Sequence, residues 1–166
     1  MCGRFVSTQS PDQIAQFFGA SVGVPGDGLP ANYNVAPTND VYGVVQDVHG
    51  GRTVEAFQWG LVPSWAKDVK IGSRMINARA ETIAEKPAFK SLLARRRVIV
   101  PMDGFYEWQA GGAGAPLTKQ GKPAKTPMFI HRVDGELLAV AGLWAVWRDK
   151  ALGEDAPWLH SCTVVT

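Results

Sequence analysis

The chain has 166 residues, of which 46% are hydrophobic and 19% are charged, and its formal net charge is +2. This composition is typical of a folded globular protein, and the length predicts one domain over residues 1–166. The small positive charge excludes strong long-range attraction to nucleic acid. Any DNA-binding surface therefore has to be a local basic patch.

The cysteines and histidines do not have the spacing of a metal site. Cys2 and Cys162 form no C-x-x-C pair, and the three histidines are scattered at His49, His131 and His160. The N-terminus lacks the pattern of a secretory signal, and no segment approaches the ~18 consecutive apolar residues of a membrane helix. We expect a cytoplasmic protein without metal or membrane partner, in which a disulfide between the two cysteines does not form.

The first predicted element is a helix that begins after Ser10. Ser10 can cap the N-terminus, Pro11 suits the first helical position, and Gln13 completes the spacing of a capping box. Gly19 predicts the end of this helix, because glycine readily adopts the left-handed conformation that closes helices.

Most of the remaining elements are predicted strands. A turn at residues 49–51 joins strands over residues 41–48 and 53–59 into an antiparallel hairpin. Residues 81–93 are mostly helical in composition, and Pro87 predicts a break followed by a short second helix. Residues 111–126 form a predicted loop. Further strands are predicted at residues 98–100, 105–108, 128–133, 137–147 and 158–166.

This order of elements predicts the fold class. Turn residues at 103–104 and 134–135 separate successive strands, and strands outnumber helices without alternating with them. We expect an α+β domain with a mainly antiparallel, curled or barrel-like sheet and a few short helices. The apolar run at residues 162–166 predicts a last strand with an uncovered edge, which indicates a domain truncated at its C-terminus.

Cys2 has the most distinctive chemistry in the chain. Removal of the initiator methionine would leave a free amine and a thiol on adjacent carbons. Such a group captures an aldehyde first as a Schiff base and then as a five-membered thiazolidine, which an internal cysteine cannot form. A lone cysteine at position two is more often incidental. Here, however, Gly3 and Arg4 follow it, and a cation suits a nucleophile that works beside a phosphate.

Six blocks of sequence extend this observation over the whole chain. They are MCGRF at residues 1–5, YNVAPT at 33–38, WGLVPSW at 59–65, INARAET at 76–82, DGFYEW at 103–108 and CTVVT at 162–166. In this order the blocks resemble the SOS response-associated peptidase family, also called abasic site processing proteins. In that family the pattern continues after the last block into a helix with a histidine, to which His160 does not correspond.

The resemblance implies a compact fold whose basic groove holds single-stranded DNA, and an N-terminal cysteine that cross-links to the opened sugar of an abasic site. It makes Cys2 the nucleophile, Asn77 the residue that holds it in place and Glu107 the acid/base carboxylate. We expect a monomer that needs no cofactor. The positions that match the DNA border are Arg4, Asn34, Pro37, Trp65 and Arg79.

Each of these side chains also has a simpler interpretation. Glu107 lies between Tyr106 and Trp108 on a predicted strand, so alternation places it on the opposite face from both. Glu107 is then either a surface carboxylate or the acceptor of a proton from the amine, since only a neutral amine attacks. Asn77 is either a turn amide or a group that orients the amine and thiol by hydrogen bonds.

The tryptophans divide into two groups. Trp65 follows a proline and a serine and precedes Lys67, so it presents an aromatic face beside a cation, which suits the stacking of exposed bases. Cys162 lies in an apolar strand and is expected in the core. Of the other five tryptophans most, though not all, are expected in the core; the five are Trp59, Trp108, Trp144, Trp147 and Trp158.

Three functions remain open from the sequence. The first is a protein that binds single-stranded DNA and links Cys2 covalently to an abasic site, as part of the response to DNA damage. The second is a thiol peptidase that acts on its own leader or on other proteins, with Cys2 attacking a carbonyl. The third is a module that binds damaged DNA without catalysis, in which Cys2 matters only for packing.

Overall fold

The computed structural model describes residues 2–112 and 114–166. Within these residues the strands are β1 Phe5–Ser7, β2 Ser21–Val22, β3 Asn32–Val35, β4 Asp40–Gln46, β5 Arg52–Trp59, β6 Asn77–Ala78, β7 Arg97–Met102, β8 Gly104–Gln109, β9 Thr126–His131, β10 Leu138–Trp147 and β11 Leu159–Val165. The α-helices are α1 Pro11–Phe18 and α2 Pro87–Lys90, and 3-10 helices span Val69–Arg74 and Lys150–Leu152.

The larger of two sheets closes into a five-stranded barrel. Its strands follow one another in the order β5, β4, β7, β10 and β11, and β11 pairs with β5 to complete the ring. The closing pair is parallel, whereas the other four barrel pairs are antiparallel. β2 and β6 extend the sheet beside β5 and β11. This arrangement confirms the expected α+β domain with a mainly antiparallel, barrel-like sheet.

The interior of the barrel is filled by alternate residues of its strands. Phe57, Trp59, Val100, Cys162 and Val164 belong to one buried cluster. Successive side chains of a strand lie on opposite faces. Of the residues on the outer face, Ile99 belongs to a cluster with helix α1 and Leu143 to a cluster with helix α2. Burial of Cys162 confirms the expectation that this thiol is part of the core.

A smaller sheet lies against one end of the barrel, with its strands in the order β3, β1, β8 and β9. Phe5 of β1 is fully buried, and its ring meets the ring of Trp59 edge-on at a centroid distance of 5.0 Å. This contact joins the two sheets. β9 forms an outer edge of the small sheet, and each of its residues is exposed.

Helix α1 forms as its sequence predicts. Ser10 accepts a hydrogen bond from the Gln13 backbone N–H, and the Gln13 side chain accepts one from the Ser10 backbone. Gly19 ends the helix with a left-handed φ of 59°. These local bonds satisfy backbone groups at both helix ends, which explains why a short helix of eight residues is stable here. No helix among the described residues is long and apolar enough to cross a membrane.

Two expectations about chain segments need correction. Residues 81–85 and 91–93 form turns rather than helix, although α2 begins at Pro87 as predicted. The predicted last strand exists as β11, but its edge is covered: β10 pairs with one side, and β5 and β6 pair with the other. An apolar strand of this kind is stabilised inside a sheet, where its backbone groups find partners on both sides.

The expectation that most of the five tryptophans other than Trp65 lie in the core is confirmed for three of them. Trp59 and Trp147 are buried, and Trp144 is half-buried against the barrel core. Trp108 and Trp158 are the two that lie outside the core, at 43% and 59% exposed. Trp108 lies at the exposed C-terminal end of β8. Trp158 is covered on one side by the guanidinium of Arg148, which lies over its ring.

Candidate active site around Cys2

Cys2 lies where the small sheet meets the barrel. It is 8% exposed and belongs to the same buried cluster as Phe5 and Trp59. Its Sγ lies 3.8 Å from the carbonyl oxygen of Arg4 and donates a weak hydrogen bond to it. Burial raises the pKa of the Cys2 thiol to about 11, and the negative charge of Glu107 acts in the same direction. At neutral pH the sulfur is therefore a protonated thiol.

Asn77 contacts Cys2 although the two residues are 75 positions apart in the sequence. It lies in β6, which is held beside β11 by pairing of Asn77 with Val164. The Asn77 Nδ2 donates a hydrogen bond to the Cys2 carbonyl oxygen at 2.8 Å. The Asn77 Oδ1 is buried and accepts no hydrogen bond from the described residues. One end of the amide thus fixes Cys2, and the other end is an acceptor that a nearby N–H or O–H could use.

Glu107 reaches the same region from β8. This strand pairs antiparallel with β1, with Phe105 opposite Phe5, and the Tyr106 N–H donates to the Arg4 carbonyl at 2.8 Å. Tyr106 therefore lies opposite Arg4, and the next pair along the two chains is Glu107 opposite Gly3. Gly3 is the neighbour of Cys2 in the sequence. Phe105 packs against the buried cluster, whereas the Tyr106 hydroxyl donates to the Tyr33 carbonyl. Glu107 therefore lies on the Cys2 side of β8, as alternation along the strand requires.

Two of the residues expected to border DNA contact each other at this site. Arg4 Nη1 donates a hydrogen bond to Asn34 Oδ1 at 3.1 Å, which joins β1 to the neighbouring β3. The contact fixes the guanidinium of Arg4, which is two residues from Cys2 in the sequence. An arginine in this place can bind a phosphate while Cys2 contacts the attached sugar.

The other expected DNA contacts lie farther out. Arg79 is exposed and follows β6 directly, so it is two residues from Asn77. Pro37 is half-buried between β3 and β4. Trp65 is 62% exposed and lines a small cavity of about 120 Å³ with Arg96 of the segment before β7 and Ala145 of β10. Trp65 thus lies over the outside of the barrel rather than in the Cys2 group.

Sequence reasoning did not identify the aromatic residues beside this site. Tyr106, Phe129 and His131 form a row on the outer face of the small sheet. A signal was present in the alternation of β9, but the pairing of β8 with β9 is needed to bring Tyr106 beside Phe129. Within residues 2–112 and 114–166, no three His, Cys, Asp or Glu side chains are grouped to hold a metal ion.

Comparisons with known proteins agree over the full length of the chain. Residues 1–166 match the family model described as SOS response associated peptidase (SRAP). The abasic site processing protein YoqW of Bacillus subtilis is 39% identical over 166 residues, which is 100% of this chain and 68% of YoqW. The abasic site processing protein YedK of Escherichia coli is 31% identical over 146 residues, which is 86% of this chain and 59% of YedK.

Solved structures show the same fold. A crystal structure of a protein from Bacteroides thetaiotaomicron matches with a TM-score of 0.80 at 26% identity, over 99% of this chain and 67% of that protein. A phage-related protein of Bordetella bronchiseptica matches with a TM-score of 0.68 at 29% identity, over 99% of this chain and 68% of that protein. The chain belongs to the SOS response associated peptidase family, together with relatives that carry the name abasic site processing protein.

Proposed function

We propose that this chain binds single-stranded DNA and, once Met1 is removed, links Cys2 covalently to the aldehyde of an abasic site. The observation that carries the proposal is the convergence of Asn77 and Glu107 on Cys2, from strands far apart in sequence. The names of the relatives supply the substrate, a DNA abasic site. We further propose that the protein acts as a monomer in the cytoplasm, on the nucleoid after DNA damage, without a cofactor.

The reaction begins at the amine of the processed chain. Its nitrogen attacks C1′ of the opened sugar, and loss of one water molecule gives a Schiff base. The sulfur then adds to the same carbon, and the thiol proton passes to nitrogen, which closes the thiazolidine ring. The balance is one aldehyde and one aminothiol giving one thiazolidine and one water, so no oxidant or reductant is needed.

The state of the thiol fits this order of steps. Since burial and the charge of Glu107 oppose thiolate formation, attack of sulfur as the first step is disfavoured. The amine is the better first nucleophile, provided that it is neutral. We assign Glu107 the role of accepting the amine proton, and Asn77 the role of holding the Cys2 backbone so that both nucleophilic atoms face one carbon.

The test uses single-stranded DNA with one abasic site, mixed with protein whose N-terminal extension has been removed by a protease that leaves Cys2 first. We expect an adduct that survives denaturing gel electrophoresis and has the intact mass of protein plus DNA minus one water. Cys2→Ala should lose the adduct entirely, because the amine alone gives a Schiff base that hydrolyses. A matched sample that keeps one residue before Cys2 should also form no stable adduct.

Two results would reject the proposal. An equally stable adduct with Cys2→Ala, or with the extended protein, would show that the aminothiol is not the reacting group. Hydrolysis of peptides that depends on Cys2, with no adduct on abasic DNA, would instead identify a thiol peptidase. Reversible DNA binding that is unchanged in Cys2→Ala, again with no adduct, would identify a non-catalytic DNA-binding module.

A further inference from the structure

The outer face of the small sheet carries a row of rings formed by Tyr106, Phe129 and His131, which we call the aromatic row. Tyr106 of β8 and Phe129 of β9 are direct cross-strand partners, and their ring centroids lie 5.2 Å apart. Phe129 and His131 are two residues apart on β9, so they share one face. Their rings are nearly parallel, at 22°, with centroids 5.2 Å apart.

The row is fixed in place although it is exposed. Phe129 is 43% exposed, yet its ring lies against Gly104, where an added Cβ would come within 2.5 Å of Phe129 Cζ. The Tyr106 hydroxyl donates to the Tyr33 carbonyl of β3 at 3.3 Å. Both contacts orient the rings before any ligand arrives, which lowers the entropy cost of binding.

The aromatic row shares its face of the small sheet with Arg4, which is two residues from Cys2 in the sequence. Arg4 and Tyr106 are opposite each other across β1 and β8, as the hydrogen bond from the Tyr106 N–H to the Arg4 carbonyl shows. Directly opposed residues of an antiparallel pair share one face, so the Arg4 guanidinium lies on the same side as the row. Arg132, just past the end of β9, is instead paired with Asp134. Positive charge from Arg4 is thus available at the Tyr106 end of the row.

We propose that the aromatic row stacks the unpaired bases of nucleotides that flank the abasic site, while Arg4 binds a phosphate between them. This proposal rests on the proposed function, because it places the rest of the same DNA strand. Ring faces bind any base, since every base has a π-face, so the row gives affinity without sequence preference. It also selects single strands, because the base faces of a duplex are already stacked on each other.

The experiment measures reversible binding of an undamaged, fluorescently labelled oligo-dT by anisotropy, so that no covalent step contributes. Phe129→Leu keeps an apolar side chain over Gly104 but removes the ring, and we expect about tenfold weaker binding. Phe129→Tyr keeps the ring and should bind like the unmodified protein. Trp158→Ala removes an exposed aromatic residue outside the row and should leave the affinity unchanged. Thermal melting of each variant checks that the fold is retained.

Salt separates stacking from charge. The loss caused by Phe129→Leu should persist between 50 and 300 mM salt, whereas the loss caused by Arg4→Gln should shrink as salt rises, as phosphate contacts do. Equal affinity of Phe129→Leu and Phe129→Tyr would overturn the stacking proposal, as would an equal loss on duplex DNA. These measurements do not depend on Cys2, so failure of cross-linking and failure of stacking are scored separately.

Discussion

The barrel and the small sheet use similar side chains in opposite ways. In the barrel, Phe57 and Trp59 are shielded from solvent and fill the interior. In the small sheet, Trp108 and Phe129 lie on strands of comparable composition but remain exposed. The barrel buries apolar area and therefore supplies most of the stability. The exposed rings of the small sheet bury less apolar area, so removing one of them should cost little free energy of unfolding. Cys2 lies at the boundary, where Asn77 of β6 donates a hydrogen bond to its backbone and Glu107 of the small sheet lies near its thiol.

The largest effect is expected from matched tryptophan substitutions in the two regions. Trp59→Ala should lower the free energy of unfolding by about 3–5 kcal/mol, because it leaves a cavity in the barrel interior and removes the ring that Phe5 contacts. It also removes the hydrogen bond from Trp59 Nε1 to the Ile76 carbonyl at 3.0 Å, next to Asn77. Trp108→Ala should cost less than about 1 kcal/mol. Urea denaturation followed by circular dichroism measures both values.

Trp59→Phe provides a milder variant if the alanine protein does not fold. It keeps an aromatic ring against Phe5 but loses the hydrogen bond to Ile76, so an intermediate loss is expected. If Trp108→Ala cost as much as Trp59→Ala, the division between a stabilising barrel and a displaying sheet would be incorrect.

The same division explains what the sequence could predict. Helix α1 and the β4 to β5 hairpin are encoded locally, by Ser10, Gln13 and Gly19 in one case and by the turn at residues 49–51 in the other. Alternation and β-forming residues were sufficient to predict β7, β8, β10 and β11, because these strands are long. Their partners were not predictable, since Asp103 separates two strands that belong to different sheets.

The candidate site shows the limit more clearly. Cys2 and Asn77 are 75 residues apart, and β6 is a strand of two residues that exists only through its pairing with β11. No local pattern predicts such a contact, so only the family resemblance grouped Cys2, Asn77 and Glu107. Exposure of Trp108 was also not predictable from its apolar character, because hydrophobicity does not specify which face of a strand is covered.

Glu107 belongs to the small sheet, and its negative charge acts on the Cys2 thiol at the boundary with the barrel. Glu107→Gln should slow adduct formation about 100-fold at pH 6, because the amide cannot accept a proton from the amine. The defect should shrink above about pH 8, where an N-terminal amine is already largely neutral. Initial rates on abasic single-stranded DNA between pH 6 and 9 measure this dependence, and Glu85→Gln, an exposed position in a turn, is the matched control. An unchanged rate and pH profile in Glu107→Gln would rule out the proton-acceptor role.

The smallest expected effect compares the two buried thiols. Burial raises the pKa of Cys162 from 9.0 to about 12, and that of Cys2 from 9.0 to about 11. Below pH 9 both thiols are neutral in folded and unfolded chains, so they add no pH dependence. Above pH 9 the unfolded chain releases a proton that the folded chain retains, and stability falls by about 1.4 kcal/mol per pH unit for each fully buried thiol.

Cys162→Ala should remove about half of this alkaline loss. Between pH 9 and 10.5 we expect the unmodified protein to lose about 2 kcal/mol more than the variant, as measured by urea denaturation under reducing conditions. Lysine and tyrosine titrations are common to both proteins and cancel in the difference. Cys2→Ala should remove nearly as much over this range, because both folded-state pKa values lie above pH 10.5, and the two thiols differ only between about pH 11 and pH 12. If the free energy of unfolding changed with pH in the same way in Cys162→Ala and in the unmodified protein, water would have to reach the barrel interior. The barrel would then not be a sealed core, and the distinction between the two regions would be wrong.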